Sequence, residues 1–366
     1  MSSATKAEAL KLKDKLYTLE AALDETCMLP VFREMMASRA GEKQEVKSLS
    51  LEVMRRRNQR CVIRYRVHVH DREHGRDEIV RIVGKVFKAG RGEPVYQHMR
   101  ELWDHGFAAA ARDHISIPEP LAWAPALCML FQEEVPGQPI KMLLKQAPNV
   151  AHFRLLARTL AKLHRCPIVP GKPFGVREHL TRCHPRHEFL AQACPDLAPD
   201  LARLIAQAYE IEAGLGAITL APVHGDFHMG QVHIEGERVW LIDFDALSYG
   251  DPASDLGNML VFLKGKIKRE PAMPAVITAF LEEYFSAMDP AIAQRIPLYE
   301  ALTHLRRACK ALRLQDEGWQ RRIQRMIARG LQCLQEMQNR SAPGMQRLYN
   351  PVQDETFEEA GLQEAE

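Results

Sequence analysis

From Leu49 to Lys88 polar and apolar side chains alternate, and beyond Gly137 that alternation gives way to a helical spacing. The run Cys61-Val62-Ile63-Arg64-Tyr65-Arg66-Val67-His68-Val69-His70 places an apolar residue at every second position, which presents one face to a core only in an extended strand. Leu49 to Met54 before it and Glu78 to Lys88 after it repeat the pattern. Residues Arg55–Arg60 read as the first turn and Asp71–Asp77 as the second. Three strands joined by short turns imply an antiparallel sheet. After Gly90 and Gly92, Val95, Met99, Leu102 and Trp103 fall at helical spacing. Past Val135-Pro136-Gly137, so do Phe153, Leu156, Leu160 and Leu163. The chain is therefore α+β, and it changes from sheet to helix near Gly137.

Its 366 residues suffice for two or three domains. With 49 Lys plus Arg against 47 Asp plus Glu, the charge is too balanced for nucleic acid or an anionic membrane to be a bulk partner. Eight scattered cysteines do not form a secreted disulfide framework, no apolar stretch resembles a leader, and no 18-residue apolar run occurs. A cytoplasmic protein is expected. Leu10, Leu16, Leu19 and Leu23 suggest a surface helix over residues 6–26, open to a partner, and residues 341–366 read as an acidic, mobile tail.

The chemistry is concentrated in residues 221–245, where two acidic motifs flank a hairpin pattern. If Gly236-Glu237-Arg238 form a three-residue turn, the antiparallel register sets Gln231 opposite Asp243, with side chains about 5 Å apart. A carboxylate beside an amide oxygen suits Mg²⁺, which takes few protein ligands. Asp226, five residues before Gln231, can share the site and accept a proton.

His224-Gly225-Asp226-Phe227-His228-Met229-Gly230-Gln231, followed by Ile242-Asp243-Phe244-Asp245 and Gly250-Asp251-Pro252-Ala253-Ser254-Asp255-Leu256, resembles the aminoglycoside phosphotransferase and choline kinase superfamily. The resemblance spans roughly residues 45–335. It implies a bilobal protein-kinase-like fold, with a small antiparallel sheet as N-lobe and a mainly helical C-lobe. By the same resemblance, Asp226 orients and deprotonates the acceptor hydroxyl, Gln231 and Asp243 hold Mg²⁺, and Asp255 braces the catalytic loop. Lys85, with Lys88 as fallback, is assigned to the ATP phosphates, and Glu101 or Glu93 to the lysine's helix partner. The carbonyl of Glu133 and the amide of Val135 are assigned to the adenine edge.

Two departures from the pattern stand out. Gln231 replaces the family's usual Asn, as it does in maltose-phosphorylating relatives, and the Arg55–Arg60 turn contains no glycine, its five positive or amide donors being read as either approaching phosphates or solvated. His224 and His228 are expected to hold the loop by hydrogen bonds rather than to ligate a transition metal. Cys183, His184, His187 and Cys194 offer four soft donors, but their spacing is irregular for zinc, so incidental residues are the simpler reading. The basic stretch 301–340 reads as a solvated face, a site for an anionic acceptor, or a clasp for the tail. It makes polycationic aminoglycosides poor candidate substrates.

The expected organisation is a helical extension over 1–44, an N-lobe over 45–131, a hinge over 132–138, a C-lobe over 139–340 and the tail over 341–366. The expected reaction is ATP-dependent transfer of the γ-phosphoryl group to a hydroxyl of a small molecule, such as a sugar, an amino alcohol or a derivative. The alternatives are a pseudokinase or nucleotide-responsive binding protein without transfer activity, and a protein-modifying kinase. The sequence speaks against the last, since no activation segment separates Asp243 from Gly250.

Overall fold

Strand β2 (Arg60–Asp71) behaves as its alternation requires: Cys61, Ile63, Tyr65, Val67 and Val69 are buried on one face. It pairs antiparallel with β1 (Gln44–Arg57) and with β3 (Arg76–Phe87). The strands Met129–Glu133 and Pro120–Ala124 extend the sheet on the far side of β3. The computed structural model describes residues 16–40, 43–57, 59–144 and 149–341. It divides into two units, one comprising the chain through Gln138 together with His233–Asp245, the other Pro139–Val232 and the chain from Ala246 onward.

In the first unit, the helix Glu25–Ala40 supplies Met28, Phe32, Met35 and Met36 to the core beneath the sheet. The Phe32 ring meets Tyr65 edge-on at 4.9 Å, and Tyr65 Oη donates to the Ala22 carbonyl at 2.5 Å. This segment is therefore part of the sheet's hydrophobic core and not an appended extension. Met28, Phe32, Met35 and Met36 carry the i, i+4, i+7, i+8 stripe, although Pro30 lies inside the helix. Of the helix expected over 6–26, residues 6–15 lie outside the described residues. Leu16 and Leu19 are buried in the same core.

Arg57 pairs with Arg60, so the first turn is shorter than the sequence suggested and Arg55, Arg56, Arg57 and Arg60 all belong to strands. Along β3, Ile82, Gly84 and Val86 share one face, and Val83, Lys85 and Phe87 the other. A methyl group at Gly84 would collide with Met129 and Tyr65, so only glycine lets the sheet close against its core at this point. The helix Gly92–Leu102 follows, with Val95, Met99 and Leu102 buried as its spacing predicts.

A second sheet orders Ile115–Ser116, Arg238–Leu241, Val232–Glu235 and Gln138–Pro139. Only Gly236 and Glu237 separate the two hairpin strands, one residue fewer than expected, so the register that would set Gln231 against Asp243 does not hold. The hairpin residues from His233 group with the first unit, whereas the sequence reading assigned them to the C-lobe.

The second unit is mainly helical. Phe153, Leu156, Leu160 and Leu163 are fully buried on the helix Val150–His164, which packs against Met273–Phe285. The helix Ala253–Lys264 is buried on nearly every face and lies against Ile296–Leu314, which in turn packs on Trp319–Ser341. Short strands Pro173–Phe174, Ser248–Gly250 and Ala221–Val223 form a small sheet at the entry to the 224–231 loop. Residues 342–366, including the acidic tail, lie outside the described residues.

Candidate active site

The first unit brings four charged side chains together. Lys85 is buried on β3, its side chain only 7% exposed, and its Nζ donates to Asp243 Oδ1 at 3.1 Å and to Asp245 Oδ1 at 3.2 Å. Arg60, from the start of β2, donates Nη1 to Asp243 Oδ1 at 2.9 Å and Nη2 to Oδ2 at 3.2 Å, and also bonds Asp245. Burial works against ionised Asp243, but the charges of Lys85 and Arg60 outweigh it and hold the carboxyl far below the usual carboxylate range. Lys85 is likewise disfavoured by burial, yet Asp245 and Asp243 raise its pKa, so it stays an ammonium.

Local backbone geometry sets this cluster. Asp243 follows the strand Arg238–Leu241 and adopts φ 71°, a left-handed conformation costly for most residues but tolerated by Asp. Phe244 is then buried and anchors the turn that carries Asp245.

In the second unit, the loop 224–231 is held from below. Asp255, fully buried near the start of the helix Ala253–Lys264, accepts from the His224 amide at 2.6 Å and the Gly225 amide at 2.9 Å. His164 Nε2 lies 3.1 Å from the same carboxylate, and His164 Nδ1 lies 2.7 Å from Tyr284 Oη. Burial opposes ionised Asp255, but the His164 hydrogen bond and the surrounding partners lower its pKa. Asn258, one turn along, donates Nδ2 to the Phe227 carbonyl at 2.8 Å. Gly225 sits at φ +75°, and a methyl group there would strike Arg182 and the Ala246 carbonyl. Between these fixed points Asp226 projects with a half-exposed side chain, its Oδ2 4.0 Å from His228 Nε2 and its Oδ1 3.8 Å from Arg306 Nη2.

His228 Nδ1 accepts from the Gly230 amide at 2.9 Å, and its Nε2 is 3.4 Å from Gln231 Nε2. His228 thus engages the Gln231 amide nitrogen, and the amide oxygen is the atom that Mg²⁺ would take. The donors available to a divalent cation fit Mg²⁺ in kind. Asp243 and Asp245 are oxygen donors that converge on one cationic nitrogen in the first unit, and Gln231 is a third in the second. Among the described residues, no group of three His, Cys, Asp or Glu side chains is placed to hold a metal, and the Cys183–Cys194 cluster is no exception.

Not every expected residue joins the cluster. Glu101 and Glu93 are exposed on the helix Gly92–Leu102, and the partners of Lys85 are the two hairpin aspartates instead. A strand lysine needs a counter-charge, and Asp243 and Asp245 supply it from a distant part of the chain. Lys88 is exposed. In the expected adenine-reading segment, the Glu133 amide donates to the Glu119 carbonyl and the Glu134 amide to the Arg81 carbonyl, with Val135 half-buried beyond the strand end. Next to them Gln132 Oε1 is buried without a partner among the described residues, the kind of orphaned acceptor that a ligand can satisfy. Sequence reasoning gave no role to Asp245 or Asn258, and met Arg60 and Arg306 only as members of a basic turn and a basic stretch. Asp245 and Asn258 carried a signal, since each lies two or three residues from a recognised aspartate, but Arg60 and Arg306 were hidden among many arginines.

A model of the phosphotransferase enzyme family matches residues 62–294. No curated protein matches the chain. Among solved structures, a choline/ethanolamine kinase family protein from Mesorhizobium loti is similar at 17% identity over 89% of this chain and 98% of its own, with a TM-score of 0.56. The choline kinase LicA from Streptococcus pneumoniae is similar at 16% identity over 84% of this chain and 99% of its own, with a TM-score of 0.54. Amicoumacin kinase hAmiN, in complex with AMP-PNP, Ca²⁺ and Ami, is similar at 14% identity over 84% of this chain and 93% of its own, with a TM-score of 0.55. These likenesses establish a shared α+β kinase fold.

Proposed function

The chain belongs to the phosphotransferase enzyme family, and on that premise we propose that it transfers the γ-phosphoryl group of ATP to a hydroxyl of a small molecule. The observation that carries this reading is that each unit by itself fixes side chains of the expected kind. One unit gathers Lys85, Asp243 and Asp245, and the other fixes Asp226 on a loop whose backbone is clamped by Asp255 and Asn258. ATP as donor is supported by a similar kinase having been crystallised with AMP-PNP.

Lys85 takes the α- and β-phosphates, and Arg60 moves with it from the aspartates toward phosphate oxygens. Asp243 and Gln231 would hold Mg²⁺, which would neutralise charge on the phosphates. The Glu133 carbonyl and the Val135 amide read the adenine edge. Asp226 accepts a hydrogen bond from the acceptor hydroxyl. As the hydroxyl oxygen bonds to the γ-phosphorus, the bond to the β–γ bridging oxygen breaks, ADP leaves with that electron pair, and the hydroxyl proton passes to Asp226. Catalysis is then mostly alignment and charge neutralisation, which explains why so much of the second unit is devoted to fixing one loop. Glu101 has no part in this scheme.

No helix among the described residues is long and apolar enough to cross a membrane. All eight cysteines are free thiols, which suits a cytoplasmic enzyme drawing on cellular ATP. Incubation of the purified protein with ATP, Mg²⁺ and a metabolite extract, scored for new phosphate esters by mass spectrometry, tests the reading. An ester that forms with the native chain and not with Asp226→Asn supports it, and no ester from any fraction overturns it.

A further inference from the structure

Two arginines of the second unit converge on the loop that carries Asp226. Arg182, just after the helix Val176–Thr181, points Nη1 at the Gly225 carbonyl at 3.5 Å and donates Nη2 to the Ala246 carbonyl at 2.7 Å and to Ser248 Oγ at 3.4 Å. Its guanidinium stacks on Phe174 at 3.8 Å. Arg306, from the helix Ile296–Leu314, donates to the same Gly225 carbonyl at 3.3 Å and to Asn258 Oδ1. Among the described residues, neither guanidinium has a carboxylate within hydrogen-bonding distance. The nearest to Arg306 is Asp226, at 3.8 Å, and Asp255 already accepts from two amides and faces His164.

Half-buried cations whose hydrogen bonds all go to neutral oxygens, with Asp226 and Asp255 as the nearby carboxylates, leave a positive potential, and the neighbouring groups register it. Burial, and then Arg306, lower the Arg182 pKa to about 10. His179 is held at about 3 by burial and by the charges of Arg182 and Arg306, and its Nε2 is buried without a partner among the described residues. Past Asp226 stand an imidazole ring and a further arginine. His228 is 4.0 Å from its carboxylate and contacts the Phe262 ring, and the Arg307 guanidinium lies 5.4 Å over that ring. Asp226 is thus a single half-exposed carboxylate flanked by Arg306 and His228, with Arg182 and Arg307 behind them.

We propose that the acceptor is a small hydroxylated anion, bearing a carboxylate or a phosphate near the hydroxyl that Asp226 receives, and that Arg306 is the residue that selects it. A cationic acceptor is repelled by Arg306, whereas an anionic group adds a counter-charge to guanidiniums whose hydrogen bonds go to neutral oxygens. A planar guanidinium suits either oxyanion, so the two share one recognition chemistry. The inference rests on the phosphoryl-transfer reading and narrows its substrate class.

The test splits a metabolite extract on an anion exchanger at neutral pH and incubates the retained and flow-through fractions separately with the intact protein, ATP and Mg²⁺. New esters from the retained fraction are expected. Esters only from the flow-through, or equally from both, overturn the anionic acceptor while leaving phosphoryl transfer standing, and none from either overturns both. Treating the retained fraction with a phosphatase, then removing the phosphatase before assay, separates the two sources: loss of the ester identifies a phosphate-bearing acceptor, and survival a carboxylate. With the reactive fraction in hand, Arg306→Gln is expected to raise the acceptor KM at least tenfold with the ATP KM within twofold, and Arg306→Lys to recover part of the loss. A fall confined to kcat, or a rise confined to the ATP KM, removes Arg306 from acceptor selection.

Discussion

Lys85 Nζ lies 3.1 Å from Asp243 Oδ1, a pairing between residues 158 positions apart in the chain. The strand lysine and the hairpin aspartate are therefore one electrostatic unit before any nucleotide arrives, with Arg60 and Asp245 completing it. Lys85→Met removes the buried cation while leaving a side chain of similar length. The variant is expected to lose about 3 kcal/mol of stability, less whatever Arg60 compensates, in urea denaturation. Its kcat/KM for ATP should drop by about 100-fold or more. A variant with unchanged ATP kinetics would show that Lys85 serves the fold alone.

Asp226 and Asp243 should fail in different ways. Asp226→Asn is expected to lower kcat by roughly 10²–10⁴ while nucleotide affinity, measured by calorimetry, stays within about twofold. Asp243→Asn is expected to abolish the Mg²⁺ dependence of nucleotide binding. Turnover of Asp226→Asn close to that of the native chain would dismiss it as the proton acceptor.

Asp255 touches no reacting atom in this scheme, yet it anchors two loop amides and faces His164. Asp255→Ala leaves those amides unsatisfied in a dry site. It is expected to cost about 2–4 kcal/mol and to lower kcat with little change in the ATP KM. Normal stability with lost turnover would instead point to a direct chemical part for Asp255.

Acid sensitivity should begin well above the carboxylate range. Burial, with Arg307, Arg329 and Lys264 nearby, depresses the His304 pKa to about 3. The unfolded chain protonates this histidine near pH 6.5 and the folded chain does not. Stability is therefore full above about pH 6.5 and declines as pH falls toward 3, by up to about 1.4 kcal/mol per pH unit from this group. The lowered pKa values of Asp243 and Asp255 add a further loss below about pH 4. Chemical denaturation of His304→Leu between pH 7 and 4.5 should show a shallower slope than the native chain, and an identical slope would rule out His304 as a source.

Much of the fold was legible because it depends on short-range periodicity. The alternation of β2 and the stripe Phe153-Leu156-Leu160-Leu163 are properties of neighbouring residues, and the structure keeps them. Where the reading failed, the deciding contacts were distant. The helix Glu25–Ala40 was read as part of a helical extension over 1–44 and not as core, because its methionines are covered only once the sheet exists. Glu101, with Glu93 as the other candidate, was assigned to Lys85 by resemblance, but both lie on the exposed side of their helix and leave the lysine to Asp243 and Asp245.

The sequence alone determined the family, the alternation that makes the sheet and the order of the acidic motifs, since each is written in residues a few positions apart. Tertiary structure alone decided that Arg60 and Lys85 share the hairpin aspartates, and that Arg182 and Arg306 both close on Gly225. Those choices turn on burial. A charge withdrawn from water must find a partner in the folded chain, and which partner is within reach is fixed by packing between segments that the linear sequence keeps far apart.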